Sequence, residues 1–271
     1  MKTKPTVKVH SAGSIAALSM FFYAGHAAAT DEAGLAMQLS NPVAALISVP
    51  FQYNWDTGIG TADADRSWLN IQPVIPVSLS PDWNLISRTI VPLIDAEAPV
   101  AGGRDHSGVG DIVQSVFFSP NKPTADGWIW GVGPVLLLPT ASNDALGSEK
   151  WGIGPTVVAL KQVNGWTAGV LANHIWSFAG EDQRTDVNAT FLQPFLTYTT
   201  QSLTTFTLNT ESTYDWEGEQ WTVPINMGVN QLVRIGGQPV SFALGYRTYV
   251  ETPTGGPDWG LRFAVTLLFP R

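Results

Sequence analysis

The sequence predicts an all-β fold, a transmembrane antiparallel up-and-down β-barrel of about twelve strands, and three observations carry that prediction. The first is alternation. In the terminal stretch from Trp259 to Phe269, the odd positions Trp259, Leu261, Phe263, Val265, Leu267 and Phe269 are all large and apolar. The even positions Gly260, Arg262, Ala264 and Thr266 are small or polar, with Leu268 the exception. Strands turn alternate side chains to opposite faces, so this pattern describes one face for lipid and one for a lumen. The second observation is the rhythm of the connections, in which short turns alternate with longer acidic loops. The third is the placement of tryptophan at strand ends.

Composition agrees. Charged residues are 13% of the chain and hydrophobic ones 44%, with no run near the ~18 apolar residues that a spanning helix needs. Barrels spread apolar residues thinly over many strands; a large β-sandwich has a similar composition, so composition alone does not separate the two. The absence of cysteine excludes disulfides, thiol catalysis and cysteine metal sites. A net charge of −8 argues against nucleic acid and against polybasic binding to a membrane surface.

Taken in order, residues 1–29 read as a secretory signal peptide. Lys2, Lys4 and Lys8 give the positive start, Ile15 to Gly25 a short apolar run, and Ala27-Ala28-Ala29 a cleavage site. Residues 30–42 form a periplasmic lead-in with one or two helical turns over Ala33 to Leu39, either docked under a barrel mouth or disordered. The barrel occupies 43–271. Strand-like segments are expected at 43–55, 67–79, 82–94, 107–119, 127–139, 150–162, 165–178, 186–199, 204–214, 220–233, 239–250 and 258–269.

Connections after even strands are short, such as Ser80-Pro81 and Arg234 to Gln238, whereas 56–66, 95–106, 140–149 and 251–257 are longer. An even strand count with this alternation places both termini on the periplasmic side of an outer membrane. A Greek-key sandwich gives no reason for it. Trp55, Trp68, Trp151, Trp176, Trp216, Trp221 and Trp259 fall near the long-loop ends, and Trp83, Trp128, Trp130 and Trp166 near the short-turn ends. Two such girdles are what indole's preference for the lipid interface produces. Alternation is clear in 43–55, 67–79 and 239–250 and blurred in 127–139, 150–162 and 186–199. Prolines at 50, 73, 76, 92, 134, 155, 194 and 224 lie inside expected strands, where each removes a ladder donor.

Several stretches match a known pattern. They are Leu39-Ser40-Asn41-Pro42-Val43-Ala44, Ile47-Ser48-Val49-Pro50-Phe51-Gln52, Asn70-Ile71-Gln72-Pro73-Val74-Ile75-Pro76 and Trp83-Asn84-Leu85-Ile86-Ser87-Arg88-Thr89. Gly108 to Ile112, Leu146 to Gly152, Asn173 to Ser177 and Asn209 to Trp216 extend the likeness over nearly all of the chain after residue 29. In these the chain resembles a bacterial family described as a transporter or outer-membrane protein of the phenol meta-pathway. The resemblance implies a β-barrel of a Gram-negative outer membrane, linked to uptake of hydrophobic or aromatic compounds in phenol degradation. It supplies no functional residues. Many outer-membrane barrels end on a phenylalanine read by the barrel-assembly machinery; here the end is Phe269-Pro270-Arg271, with Phe269 offset.

Alternation turns Arg88, Asp111, Glu211, Arg247 and Arg262 inward, with Asn70, Gln72, Asn209, Asn226 and Asn230 as polar lining. Register counting sets Arg88 near Asp111 as a salt bridge. It sets Arg247 opposite Arg262, two like charges that require a shared carboxylate or form an anion-attracting patch. Such charges either narrow a pore with a transverse field or satisfy one another and hold the barrel rigid. His174 has Ser177 and Asn173 near it in sequence, but adjacent strand residues face opposite ways, so no local triad follows; a girdle histidine beside Trp176 is expected. No loop has cation-ligand spacing. The expected function is passive diffusion of small, hydrophobic or aromatic solutes, without covalent chemistry or cofactor. Outer-membrane lipids, the solute and the assembly machinery are the expected partners. The alternatives are a lipid-acting barrel enzyme and a structural barrel with partner-binding loops.

Overall fold

A computed structural model describes residues 26–270; positions 1–25 of the expected signal peptide lie outside the described residues. Fifteen strand segments form one sheet. They are β1 Ile47–Ile59, β2 Ala64–Ile71, β3 Val74–Ser78, β4 Trp83–Ala96, β5 His106–Val109, β6 Ile112–Pro120, β7 Trp128–Leu138, β8 Lys150–Val163, β9 Trp166–Gly180, β10 Asn188–Thr199, β11 Thr204–Thr210, β12 Ser212–Asp215, β13 Gln220–Ile235, β14 Gln238–Glu251 and β15 Trp259–Phe269. The pairs β2–β3, β5–β6 and β11–β12 each run on as one stave, giving a closed antiparallel barrel of twelve. The ring is closed where β1 pairs β15, from Ile47 opposite Phe269 to Thr57 opposite Trp259. Asn164-Gly165 and Gly236-Gly237 both adopt positive φ at the tips of tight hairpins, as two-residue turns between twisted strands require.

The stave interruptions account for most of the prolines. Opposite Pro50 the second stave breaks at Gln72-Pro73, leaving one bond from Gln72 N to the Pro50 carbonyl, 2.9 Å. The fourth stave breaks at Gly110-Asp111, beside Pro92. The ninth breaks at Glu211, where the ladder to β10 skips Gln193-Pro194 and the ladder to β13 skips Val223-Pro224. Pro134 and Pro155 face each other. A residue without an N–H is thus set against a residue that asks for none. Pro76, paired with Ile86, has no such explanation. Breaks of this kind re-aim side chains, and Gln72, Asp111 and Glu211 each occupy one.

The outer face is apolar as expected: Phe51, Tyr53, Val132, Val157, Phe206, Leu244 and Phe263 are all exposed. At the long-loop end Trp55 meets Trp259 edge-on at 5.3 Å, and Tyr214 contacts Trp216 and Trp221. At the other end Trp83 meets Trp130, and Trp166 meets Tyr198. Trp68 departs from the expectation. It faces the lumen, because it sits at an even position of β2 in phase with Asn70 and Gln72.

The inner face is not uniformly polar. Ile86, Phe117, Val135, Val158 and Leu160 point inward and are fully buried. Around them β7 to β9 carry inward glycines that allow a tight bend; a Cβ on Gly133 would lie 1.9 Å from the Val116 carbonyl oxygen, and one on Gly154 1.6 Å from that of His174. One side of the barrel is therefore a packed apolar core. The strands with blurred alternation, β7, β8 and β10, contribute to this core and its border, carrying apolar residues on the inner face as well as the outer.

Residues from His26 to Leu39 form one helix, α1, longer than the expected one or two turns. Alanine, leucine and methionine favour it, and Asn41-Pro42 ends it. The helix docks. Leu35 and Ala36 are buried against Leu232 and Leu268 of the wall. The Met37 carbonyl accepts from Gln162 Nε2 at 2.8 Å, and Glu32 pairs with Arg234 at 2.6 Å. The first strand begins at Ile47 rather than 43, because Val43, Ala44 and Leu46 are buried beneath the helix and against the apolar core.

Candidate functional site

Within the lumen, side chains from β1, β11, β13, β14, β15 and the Glu211 break meet in one hydrogen-bonded layer. Arg262, on β15, grips Glu211 with both terminal nitrogens: Nη1 to Oε1 at 2.9 Å and Nη2 to Oε2 at 2.7 Å. Arg247, on β14, donates to the same carboxylate at 3.2 Å and to Asn226 Oδ1 at 2.8 Å. Asn226 in turn donates to Asn209 at 2.9 Å. Planar guanidinium forks suit such shared, two-point contacts.

Arg247 and Arg262 do not face each other directly, as register counting had them. Arg247 is opposite Gly260 and Arg262 opposite Gly245, so each arginine lies over a glycine and the two sit diagonally. The shared carboxylate expected for two close like charges is Glu211.

Two members escaped the sequence reading. Asn54 is fully buried and accepts from Arg262 Nε at 2.8 Å. Asp56, two residues on and also fully buried, accepts from the Tyr249 hydroxyl at 2.5 Å and pairs with Arg247 and Arg66 at 3.5 and 3.6 Å. Gly260 makes room for it, since a Cβ there would lie 2.2 Å from Asp56 Oδ1. The signal was available: Gln52, Asn54 and Asp56 continue the inward phase of β1, past where the strand was expected to stop. Trp68 lies beneath two guanidiniums, with Arg66 at 5.1 Å and Arg247 at 5.3 Å from its ring.

Arg88 projects from β4 and donates to Gln72 Oε1 at 3.0 Å. Its expected salt bridge with Asp111 is not formed. The true register sets Arg88 against Ser115, and Asp111 lies in the stave break. There its carboxylate accepts from Ala141 N, Ser148 N and the Ser148 hydroxyl at 2.7–3.1 Å, tying down the loop before β8. Asn70 and Asn230 line lumen cavities.

The layer divides open space. Above it lies a chamber of about 430 Å³ lined by Trp68, Asn70, Ile90, Phe191, Glu211 and all four arginines. Below it are cavities of about 290 and 220 Å³, floored by α1 and the segment after it. Four guanidiniums stand against two carboxylates, so the passage is cationic inside although the chain is acidic overall.

At the outer rim Lys150 pairs with Asp186 at 3.0 Å, and Ser177 donates to the same carboxylate at 3.0 Å. The Lys150 hydrogen bond, with Ser177 second, holds the Asp186 carboxyl below its ordinary range. His174 lies on the lipid side, 4.0 Å from Trp176 and bonded to Thr190 at 2.7 Å, while Ser177 is engaged with Asp186 and Val187; no triad forms. Among the described residues no three acidic or histidine side chains converge as metal ligands.

Solved structures that resemble this barrel include proteins described as outer-membrane proteins. The COG4313 outer membrane channel from Pseudomonas putida F1 matches with a TM-score of 0.64 and 15% identity, over 83% of this chain and 96% of that one. That likeness fixes the fold. The chain is an outer-membrane β-barrel. Outer membrane phospholipase A from Escherichia coli matches with a TM-score of 0.48 and 10% identity, over 81% of this chain and 92% of that one. No protein-family model and no curated protein matches the sequence.

Proposed function

We propose that this barrel is a passive channel for small solutes, with the arginine–carboxylate layer as its constriction and α1 closing the periplasmic end. The supporting observation is the open space on either side of one charged layer, inside a closed wall. A solute leaving the outer chamber must pass Arg88, Gln72, Gln52 and Arg262, which line space on both sides. The apolar flank of the upper chamber and the likeness to the phenol meta-pathway family favour aromatic cargo. The similarity in fold to a protein described as an outer membrane channel agrees with this. Phe269, outward and exposed at the end of β15, is the residue we assign to recognition by the assembly machinery.

The test is conductance of the full-length barrel in planar bilayers, beside a Leu35→Asp/Arg234→Ala variant that unseats α1. Each single channel of the variant should conduct several-fold more than wild type. Absence of conductance from both, with no swelling of protein-loaded liposomes in arabinose or phenol, would overturn the proposal.

A further inference from the structure

Two arginines stand where the upper chamber meets the lower cavities, and they differ in one respect. Arg262 is held bidentately by Glu211. Arg88 forms no ion pair among the described residues. Its polar partner is the neutral Gln72, and Glu211 acts on it only at longer range. It is half-buried, opposite Ser115 on one side and Val74 on the other, and borders open space above and below the layer. A half-buried guanidinium with no carboxylate in contact has donors to offer an anion that enters the lumen. Apolar surface lies beside it in the upper chamber: Ile90, next on the same face of β4, with Phe191 and Trp68.

We propose that Arg88 is a binding station for the carboxylate of a small aromatic acid in transit, with the ring against Ile90, Phe191 and Trp68. This rests on the channel reading above and gives it a substrate class. The guanidinium fork matches a carboxylate in plane, and Gln72 fixes the fork's orientation. A neutral phenol could use the apolar flank but would leave the charge unanswered. A small inorganic anion would answer the charge and leave the flank wet. Only a molecule with both parts uses both, and about 430 Å³ is within the range of small-molecule sites.

The test is a tryptophan-fluorescence titration of the full-length barrel in detergent with benzoate, benzyl alcohol and acetate. Benzoate should saturate the signal at the lowest concentration of the three. Arg88→Met should weaken benzoate on the order of ten- to hundred-fold and leave benzyl alcohol unchanged, while Arg88→Lys recovers part of the loss. Heat-dependent gel mobility verifies that each variant is folded; if Arg88→Met fails that check, Arg88→Lys and Phe191→Ala carry the comparison, and both should weaken benzoate. Equal binding of benzoate and benzyl alcohol, or variants that titrate like wild type, would overturn the site. Conductance of the same preparation separates the two proposals. Current without benzoate preference sinks the station and spares the channel, whereas benzoate preference without current sinks the channel and spares the station.

Discussion

Replacing Glu211 by glutamine removes one negative charge from the layer and keeps its shape. Arg247 and Arg262 then lose the carboxylate they share, and the excess of guanidinium over carboxylate grows by one. For a monovalent ion passing about 5 Å from that position in a water-like medium, one unit charge is worth ~0.8 kcal/mol. The change favours an anion and disfavours a cation equally, so the anion-to-cation permeability ratio should rise about fifteen-fold. Stability should fall as well. Breaking a fully buried pair costs roughly 3–5 kcal/mol, and because Glu211 retains 24% exposure to the lumen the loss should be smaller, about 1–3 kcal/mol. The assay is the reversal potential of Glu211→Gln and wild type across a tenfold KCl gradient, with thermal unfolding followed by gel mobility. A variant that conducts with an unchanged reversal potential would mean that ions do not cross the Arg–Glu layer, and the constriction would have to be sought elsewhere.

Gly260→Ala should destabilise the barrel by about 1–3 kcal/mol, since the added Cβ meets Asp56 Oδ1 at 2.2 Å and the Trp55 carbonyl oxygen at 2.5 Å; an unchanged unfolding temperature would refute the close approach. At the rim, the lowered Asp186 carboxyl makes the Lys150 pair a source of stability that is present above the ordinary carboxylate range and lost as pH falls through the folded value. Carboxyl NMR of Asp186 should therefore titrate below the usual aspartate range in wild type and return toward it in Lys150→Met.

The barrel was legible because lipid on one face and water on the other impose a period of two, and because the turns declare the hairpin ends. Glu211, Arg247, Arg262, Asn209 and Asn226 were legible as one inward set for the same reason. Asp111 was misjudged because the fourth stave breaks beside Pro92, and an index count from the loop end cannot anticipate where a ladder is interrupted. Asn54 and Asp56 were missed although both lie in phase with Gln52, as was Tyr249, the partner of Asp56, although it lies in phase with Arg247. The weak signal in β7, β8 and β10 had a physical source: where the interior is itself apolar, both faces look alike and alternation carries little information.

The one-sided packing of the interior also bears on how this protein can change. Open volume here does not follow strand number, because among the described residues the cavities inside the wall border the arc running from β10 through β1 to β4. Substitutions on the inner faces of β6 to β9 will behave as they do in the core of a water-soluble domain, altering stability and leaving cargo untouched. New specificities can arise only along the wet arc, so a twelve-stranded wall explores the chemistry of a much narrower conduit.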